Sequence, residues 1–521
     1  MDEAARPGPV RAPGGNARDL TRGPVASTLL VFALPILASN VLQSLNGSVN
    51  AIWVGRFLGE AALAAVANAN NVMFFLLGSV FGVGMAATIL VGQAMGRGDF
   101  REAKRAIGTS LSFFVGVSVL IAVAGQVLSG HILGWMGTPA EALPLAESYL
   151  RIIFLAIPSM YLFASLTAIL RGSGDTRTPF WFLLLVVALD VALVPLLIFG
   201  IGPFPRMGIG GAALATLVCN LIGLVAMLAW LRHRRHPLWI GADELKLFRP
   251  DPRILRALVV KGVPMGLQMV LVSLAMLMMI SLVNRQGLSW ASAYGAALQL
   301  WNYVQMPAMA IGAACSSMAA QNVGAGRWER VDATARSGVL FNVMLTGALI
   351  APTVLLARHS LGLFLPEGSL ALEHARHLNL IAVWSFLFFG VTFVISGVVR
   401  ATGAVLAPLL ILATALWGVR IPFAIALQPV LGADAIWWSF PVSALCAMLM
   451  SLAYYRWGRW RQARMLEPLD AGGTSDIEQT TETIALPASV QTASTAPVAD
   501  CCPRTTPHRH LADGRVVAAG G

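Results

Sequence analysis

The sequence predicts an all-α polytopic membrane protein, with twelve transmembrane helices forming two six-helix bundles related by a pseudo-two-fold along the membrane normal. Three observations predict it. Of 521 residues, 57% are hydrophobic and only 12% charged, about half of the ~25% charge usual in soluble domains. Apolar runs long enough to cross a bilayer, about 20 residues each, recur twelve times. Landmarks in the first half also return in the second at a fixed interval. The composition excludes the three or four soluble domains that such a length could hold at about 150 residues each.

The spans cover about 27–55, 62–95, 107–130, 145–170, 178–200, 209–231, 257–284, 291–320, 335–357, 375–399, 405–428 and 434–455. They divide the chain into a cytoplasmic N-terminal tail (1–26), an N-terminal bundle (27–232), a linker (233–256), a C-terminal bundle (257–456) and a disordered cytoplasmic tail (457–521). Internal Gly and Pro are tolerated because packed neighbours satisfy the freed backbone groups.

Lysine and arginine set the orientation. Of 36, 29 fall on one side, five on the other, and two, Arg151 and Arg420, inside spans. An even span count with both termini cytoplasmic follows. The net charge of +11 therefore anchors a face against anionic lipid and implies no nucleic-acid partner. Ser27–Val54 is too long for the apolar core of a signal peptide and reads as a retained span. Cys501 and Cys502 with His508 and His510 have zinc-binding residue types, but lie in Thr/Ala/Pro-rich sequence with a disordered composition.

The repeat is specific. Arg171, Gly174 and Pro179 are echoed by Arg400, Gly403 and Pro408, all three at one and the same interval. Gln93-Ala94-Met95-Gly96-Arg97-Gly98 is echoed by Gln321-Asn322-Val323-Gly324-Ala325-Gly326 at an interval shorter by a single position. A six-span unit repeats in the same orientation, so the two bundles are parallel and can rock about a central cleft.

With these motifs in place, the chain resembles the multidrug and toxic compound extrusion (MATE) family over about residues 27–460. The resemblance rests on Asn50-x-x-x-Val54-Gly55-Arg56-x-Leu58-Gly59, Gly92-Gln93-x-x-Gly96-x-Gly98-Asp99 and Arg171-Gly172-x-Gly174-Asp175-Thr176. It continues through Gly208-x-x-Gly211-Ala212, Gly262-x-Pro264 and Gln321-Asn322-x-Gly324-Ala325-Gly326. It implies a monomeric antiporter of the bacterial inner membrane that exports bulky, often cationic organic compounds, driven by protons or sodium, with no other cofactor.

Asp190 is the one carboxylate in the middle of a span, flanked by Leu183–Leu189 and Val191–Val194. Ionisable groups at such depth are expected to be functional, the alternative being a structural hydrogen-bonding role between helices. Pro195 removes a backbone donor beside it and is expected to kink span 5. By resemblance, Asn50 stands where many MATE sequences carry an Asp. Asp190 and Val194 occupy the Asn and Asp positions of a span-5 pair found in the DNA-damage-inducible (DinF-like) branch, and Thr216 matches its span-6 Thr. Acids of the sodium-linked branch correspond to Val272 and Phe389, both apolar. The resemblance therefore favours proton coupling through Asp190, Asn50 and Thr216, closer to the DinF-like branch.

For a substrate cavity, mid-bilayer amides and polarizable side chains are the candidates, since lipid cannot satisfy amides. They are Gln43, Asn46, Asn68, Asn71, Phe75, Gln268, Gln299, Asn302, Gln305 and Met306, with Arg420 either cavity-lining or held by backbone carbonyls freed around Pro422. Arg151 is expected to snorkel from a helix end. Met276, Met278 and Met279 read as ordinary packing. A lipid-linked oligosaccharide flippase shares the repeat architecture, but it would need more cavity cations. No Walker A, His-Glu-x-x-His or Gly-x-Ser-x-Gly motif points to an enzyme.

Overall fold

The computed structural model describes residues 18–135, 138, 141–201, 205–362, 364–366 and 368–466, without the side chains at 60, 61, 64, 71, 74, 75, 77, 79 and 242. Every regular element among them is helical. The first half comprises α1 (Val25–Leu58), α2 (Glu60–Arg97), α3 (Phe100–Trp135), α4 (Leu143–Ser173), α5 (Arg177–Phe199) and α6 (Ile209–His233). The second comprises α7 (Pro252–Asn284), α8 (Leu288–Gly324), α9 (Trp328–Leu355), the short α10 (Ala357–Gly362), α11 (Leu370–Ala382), α12 (Ser385–Arg400), α13 (Leu406–Ala413), α14 (Ile421–Ala426), α15 (Gln428–Leu431) and α16 (Asp434–Trp457).

Ten described helical stretches are long and apolar enough to span a bilayer. The pair α11 and α12, bent by 44°, forms an eleventh, and the 37-residue α8 completes twelve. The eleventh sequence span is broken: α13 passes through a π-helical stretch, Thr414–Arg420, into α14. Pro422 lies at the start of α14. Its missing N–H and ring clash with the preceding turn favour such a break.

Beside the contact of α2 with α8, two repeat-related seams join the halves, α2 on α7 and α1 on α8. At the first, Gly82 lies against the backbone of Gly262 and Gly266, leaving no room for a Cβ. This close approach of small residues is a usual way for helices to associate in lipid, where burial of apolar surface provides little drive. Ala310, Ala33 and Leu37 stand at the repeat-related positions of the second seam, which leaves an apolar groove between α1, α8 and α9.

The boundaries depart from the sequence reading at several places: α3 starts at Phe100 rather than 107 and α9 at Trp328 rather than 335. Helix α7 starts at Pro252 rather than 257, because Asp251 accepts the Arg253 N–H (3.0 Å) and a proline at the first helical position fits the turn. The linker is docked on α3: Phe248 O accepts from Ser112 Oγ (2.6 Å), Asp251 N–H donates to Thr109 Oγ1 (3.1 Å), and Lys104 pairs with Glu244 (2.6 Å). The Lys104 ammonium holds the Glu244 carboxyl below its ordinary value, while burial lowers the affinity of His236 for a proton.

Both expected tails are likewise partly built into the fold. Residues 18–24 pack before α1, with Leu20 fully buried. At the other end Trp460 is buried, its carbonyl accepting from Thr402 Oγ1 (2.8 Å), and Arg461 pairs with Asp332 (2.9 Å). Short polar-looking segments become ordered when one aromatic or aliphatic side chain finds a cavity, which composition does not reveal. The Cys501/Cys502/His508/His510 group lies outside the described residues.

Candidate functional site

The first half buries two acids, Asp175 between α4 and α5 and Asp190 within a span. Asp190 in α5 is 3% exposed, with the side chains of Asn46 (α1) and Thr216 (α6) in hydrogen-bonding reach. Tyr149 (α4) and Cys219 (α6) lie close enough to sense its charge. Its Oδ1 is buried with no hydrogen-bond partner, as is Oδ1 of Asn50. Asn46 and Asn50 sit one turn apart on the same face of α1. A buried polar atom without a partner costs about 1–3 kcal/mol, a cost that a proton on the Asp190 carboxyl would relieve. Thr216 Oγ1 also lies 3.3 Å from Ala212 O. Helix α5 runs unbroken through Pro195, and Val194, one turn beyond Asp190, is buried.

At the related place in the second half stands a cation. Arg420 ends the π-helical stretch. Its Nε donates to Ser443 Oγ on α16 (2.9 Å), and its guanidinium lies 4.5 Å from the centre of the Phe440 ring. The acceptor is thus a hydroxyl and an aromatic face, not the backbone carbonyls expected around Pro422. Next to it Tyr294, Trp301 and Phe440 pack with ring centroids 5.6–6.3 Å apart, and Trp301 Nε1 donates to Asn379 Oδ1 (2.9 Å).

The MatE family model matches residues 35–196 and again 264–426. The starts of the two matches are separated by the same interval as Arg171 and Arg400. The chain belongs to the MATE family. It is 36% identical to the probable multidrug resistance protein YoeA of Bacillus subtilis over 447 residues, which cover 84% of this chain and 96% of the relative. A second Bacillus subtilis relative, the probable multidrug resistance protein YpnP, is 32% identical over 450 residues, 86% of this chain and 99% of that one. A crystal structure of MATE in the straight conformation shares the fold at TM-score 0.79 and 21% identity, covering 86% of this chain and 98% of the other. These relatives lend no support to the flippase alternative. MATE family members are transporters and not enzymes, and this chain is a multi-pass membrane transporter.

The other expected residues of this MATE transporter stand on α1, α2, α7 and α8. Gln43, Gln299 and Asn302 are exposed among apolar helices. Gln305 Nε2 donates to Asn302 Oδ1 (3.0 Å), and Met306 is buried. Asn68 is engaged outside any cluster, donating to Thr138 Oγ1 (3.3 Å) beyond the end of α3. The side chains of Asn71 and Phe75 lie outside the described residues. Arg151 is exposed near the start of α4 and pairs with Glu147 (2.7 Å). Of the three methionines read as packing, only Met279 is buried. Met276 and Met278 are 41% and 39% exposed.

Two site features escaped the sequence reading. Asn46 belongs beside Asp190, which the i, i+4 spacing to Asn50 could have indicated. Arg400 does not lie in a solvated loop: it is 3% exposed, with Nη1 on Gln268 Oε1 (2.9 Å), its guanidinium 5.4 Å from the Phe393 ring, and Nε and Nη2 unpartnered. Gln268 is therefore the anchor of a buried cation. The position of Arg400 at the end of a span concealed that its side chain turns inward.

Proposed function

We propose that this chain exports bulky, often cationic organic compounds, with protons moving the other way by alternating access, and that Asp190 carries the proton. Asp190, Asn50 and Thr216 form the coupling site, to which Asn46 is added. The observation that carries this reading is the buried carboxyl with an unpartnered oxygen, touched by side chains from two other helices. A single acid suffices for a proton cycle, whereas a dehydrated sodium ion favours several oxygen ligands. The second half offers no acid at Val272 or Phe389, which supports protons over sodium and the DinF-like branch. The names of the Bacillus relatives support drugs as the cargo. The strong bias of basic residues to one end supports a cytoplasmic position of that end and of both termini in a bacterial cell. One chain holds both halves of the cavity, so it works as a monomer.

Proteoliposomes with an imposed pH or sodium gradient and a fluorescent organic cation test this. Wild-type protein moves the dye on a pH gradient and releases protons, while Asp190→Asn, at equal protein level, does neither. Retained proton-coupled antiport in Asp190→Asn would falsify the assignment.

A further inference from the structure

At the basic end the halves meet through a pseudo-symmetric pair of glutamines. Gln93 Nε2 donates to Ala401 O (2.7 Å), and Gln321 Nε2 donates to Gly172 O (2.9 Å), the repeat counterpart of Ala401. Gly96 lies against the backbone of Gln321, and Gly324 against that of Gln93, each too close for a Cβ. These contacts close that end.

The closure is braced twice, on opposite sides of the pseudo-two-fold. On one side the linker precedes α7 of the second half and docks on α3 of the first, as described above. Carried back by one repeat, residues 247–252 fall on 18–23, the segment before α1. That segment docks on the start of α9, the repeat counterpart of α3. Arg327 Nη1 donates to Thr21 O (2.5 Å), and Arg330 donates to Gly23 O (2.9 Å), Arg22 O (3.2 Å) and Leu20 O (3.4 Å). Leu20 is fully buried; its N–H donates to Gln321 Oε1 (3.1 Å) and its carbonyl accepts from Asn322 Nδ2 (3.2 Å). Arg18 N–H reaches Gly174 O of the first half (3.2 Å). The amide of Gln321 thus holds the strap with one end and the first half with the other.

The two braces differ in one respect. The linker is covalently continuous with both halves and cannot leave, whereas the strap is covalently joined to the first half and, among the described residues, is held to the second by hydrogen bonds, the buried Leu20 and Thr21 and the charge of Asp19 near Arg330. We propose that Arg18–Gly23 is a releasable latch that holds the basic end closed, and that its release is an obligatory step each time that end opens. The proposal rests on the alternating-access reading for its place in the cycle, but its first readout does not require a substrate.

The test uses the full chain with native cysteines replaced and spin labels on Arg101→Cys and Glu329→Cys, exposed positions at the basic end of each half. In liposomes, Leu20→Asp and Arg330→Gln raise the fraction of long distances at least about five-fold, as loss of a modest coupling energy would, and Arg330→Lys raises it less. In a second measurement, Thr21→Cys and Arg327→Cys are joined by a short thiol cross-linker that a reductant cleaves. The joined protein stops transporting the dye and resumes on reduction. Unchanged distances in both Leu20→Asp and Arg330→Gln, or undiminished transport by the joined protein, overturns the latch. If wild-type protein moves no dye at all, the export reading fails while the distance measurement still decides the latch.

Discussion

The two halves of this transporter hold a charged side chain at the same architectural place with opposite sign. Asp190 on the fifth span has Thr216 of the sixth within reach, and Arg420 on the eleventh span donates to Ser443 of the twelfth. Asp190 and Arg420, like Thr216 and Ser443, are separated by very nearly the interval of the repeat. A hydroxyl stands beside each, and a hydroxyl serves either charge because it both donates and accepts. The difference lies in what each group can do. A carboxyl takes up and releases a proton, whereas a guanidinium remains charged in proteins. The backbone differs as well: α5 is continuous, while the Arg420 segment is π-helical, a geometry that recurs at functional sites. Duplication supplied two equivalent places; one half retains a switchable charge and the other a fixed one.

Substitutions that separate the two charges are the strongest way to break that comparison. Asp190→Asn is expected to abolish proton release, whereas Arg420→Gln keeps proton coupling and changes only the apparent affinity for organic cations. Proton release measured in parallel for both variants checks this, and loss of coupling in Arg420→Gln would show that the second half also takes part in the proton cycle.

The seams extend the comparison from charge to packing. Gly82→Leu drives a side chain into the backbone of Gly262 and Gly266, so stability falls by about 1–3 kcal/mol or more. Its repeat mate Ala310 borders the apolar groove, and Ala310→Val shifts stability by no more than about 1 kcal/mol in either direction. Melting temperatures of the purified variants distinguish the two, and equal losses would mean that the seams are packed alike.

The smallest effect concerns the linker. The Glu244 carboxyl lies below its ordinary value of 4.5, chiefly through its hydrogen bond with Lys104. A group lowered on folding contributes docking that is complete above the ordinary value and is lost as pH falls through the lower folded one. Hydrogen exchange at 242–248, taken relative to the intrinsic amide rate at each pH, should therefore be flat from neutral pH down to about 5 and rise only in stronger acid. In Glu244→Gln it is modestly raised throughout, as expected for an exposed pair.

Much of the frame was legible in the chain because lipid imposes one-dimensional rules. Span length, basic asymmetry and a repeat interval are all properties of order along the sequence, and the structure follows them to within a few residues. Side-chain destinations were less legible. Asp190 could be singled out because it is the lone mid-span acid. Asn46 and Asn68, both amides on apolar helices, read alike, yet one lies beside Asp190 and the other bonds to Thr138. Their separation depends on which neighbouring helix each face meets.

The sequence by itself determined that the chain is a twelve-span membrane protein built of two related halves, with scarce charge collected at one end. It also determined that Asp190 and Arg420 are charges within spans to be explained. Only the tertiary structure decided their partners, the inward turn of Arg400, the unequal tightness of the two seams, and the seating of Leu20 beneath Gln321. The physical reason is the same in each case. Hydrophobic length acts on each segment alone, whereas hydrogen bonds and close packing join residues from distant parts of the chain, as Leu20 with Gln321 and Arg420 with Ser443, whose meeting no local pattern encodes.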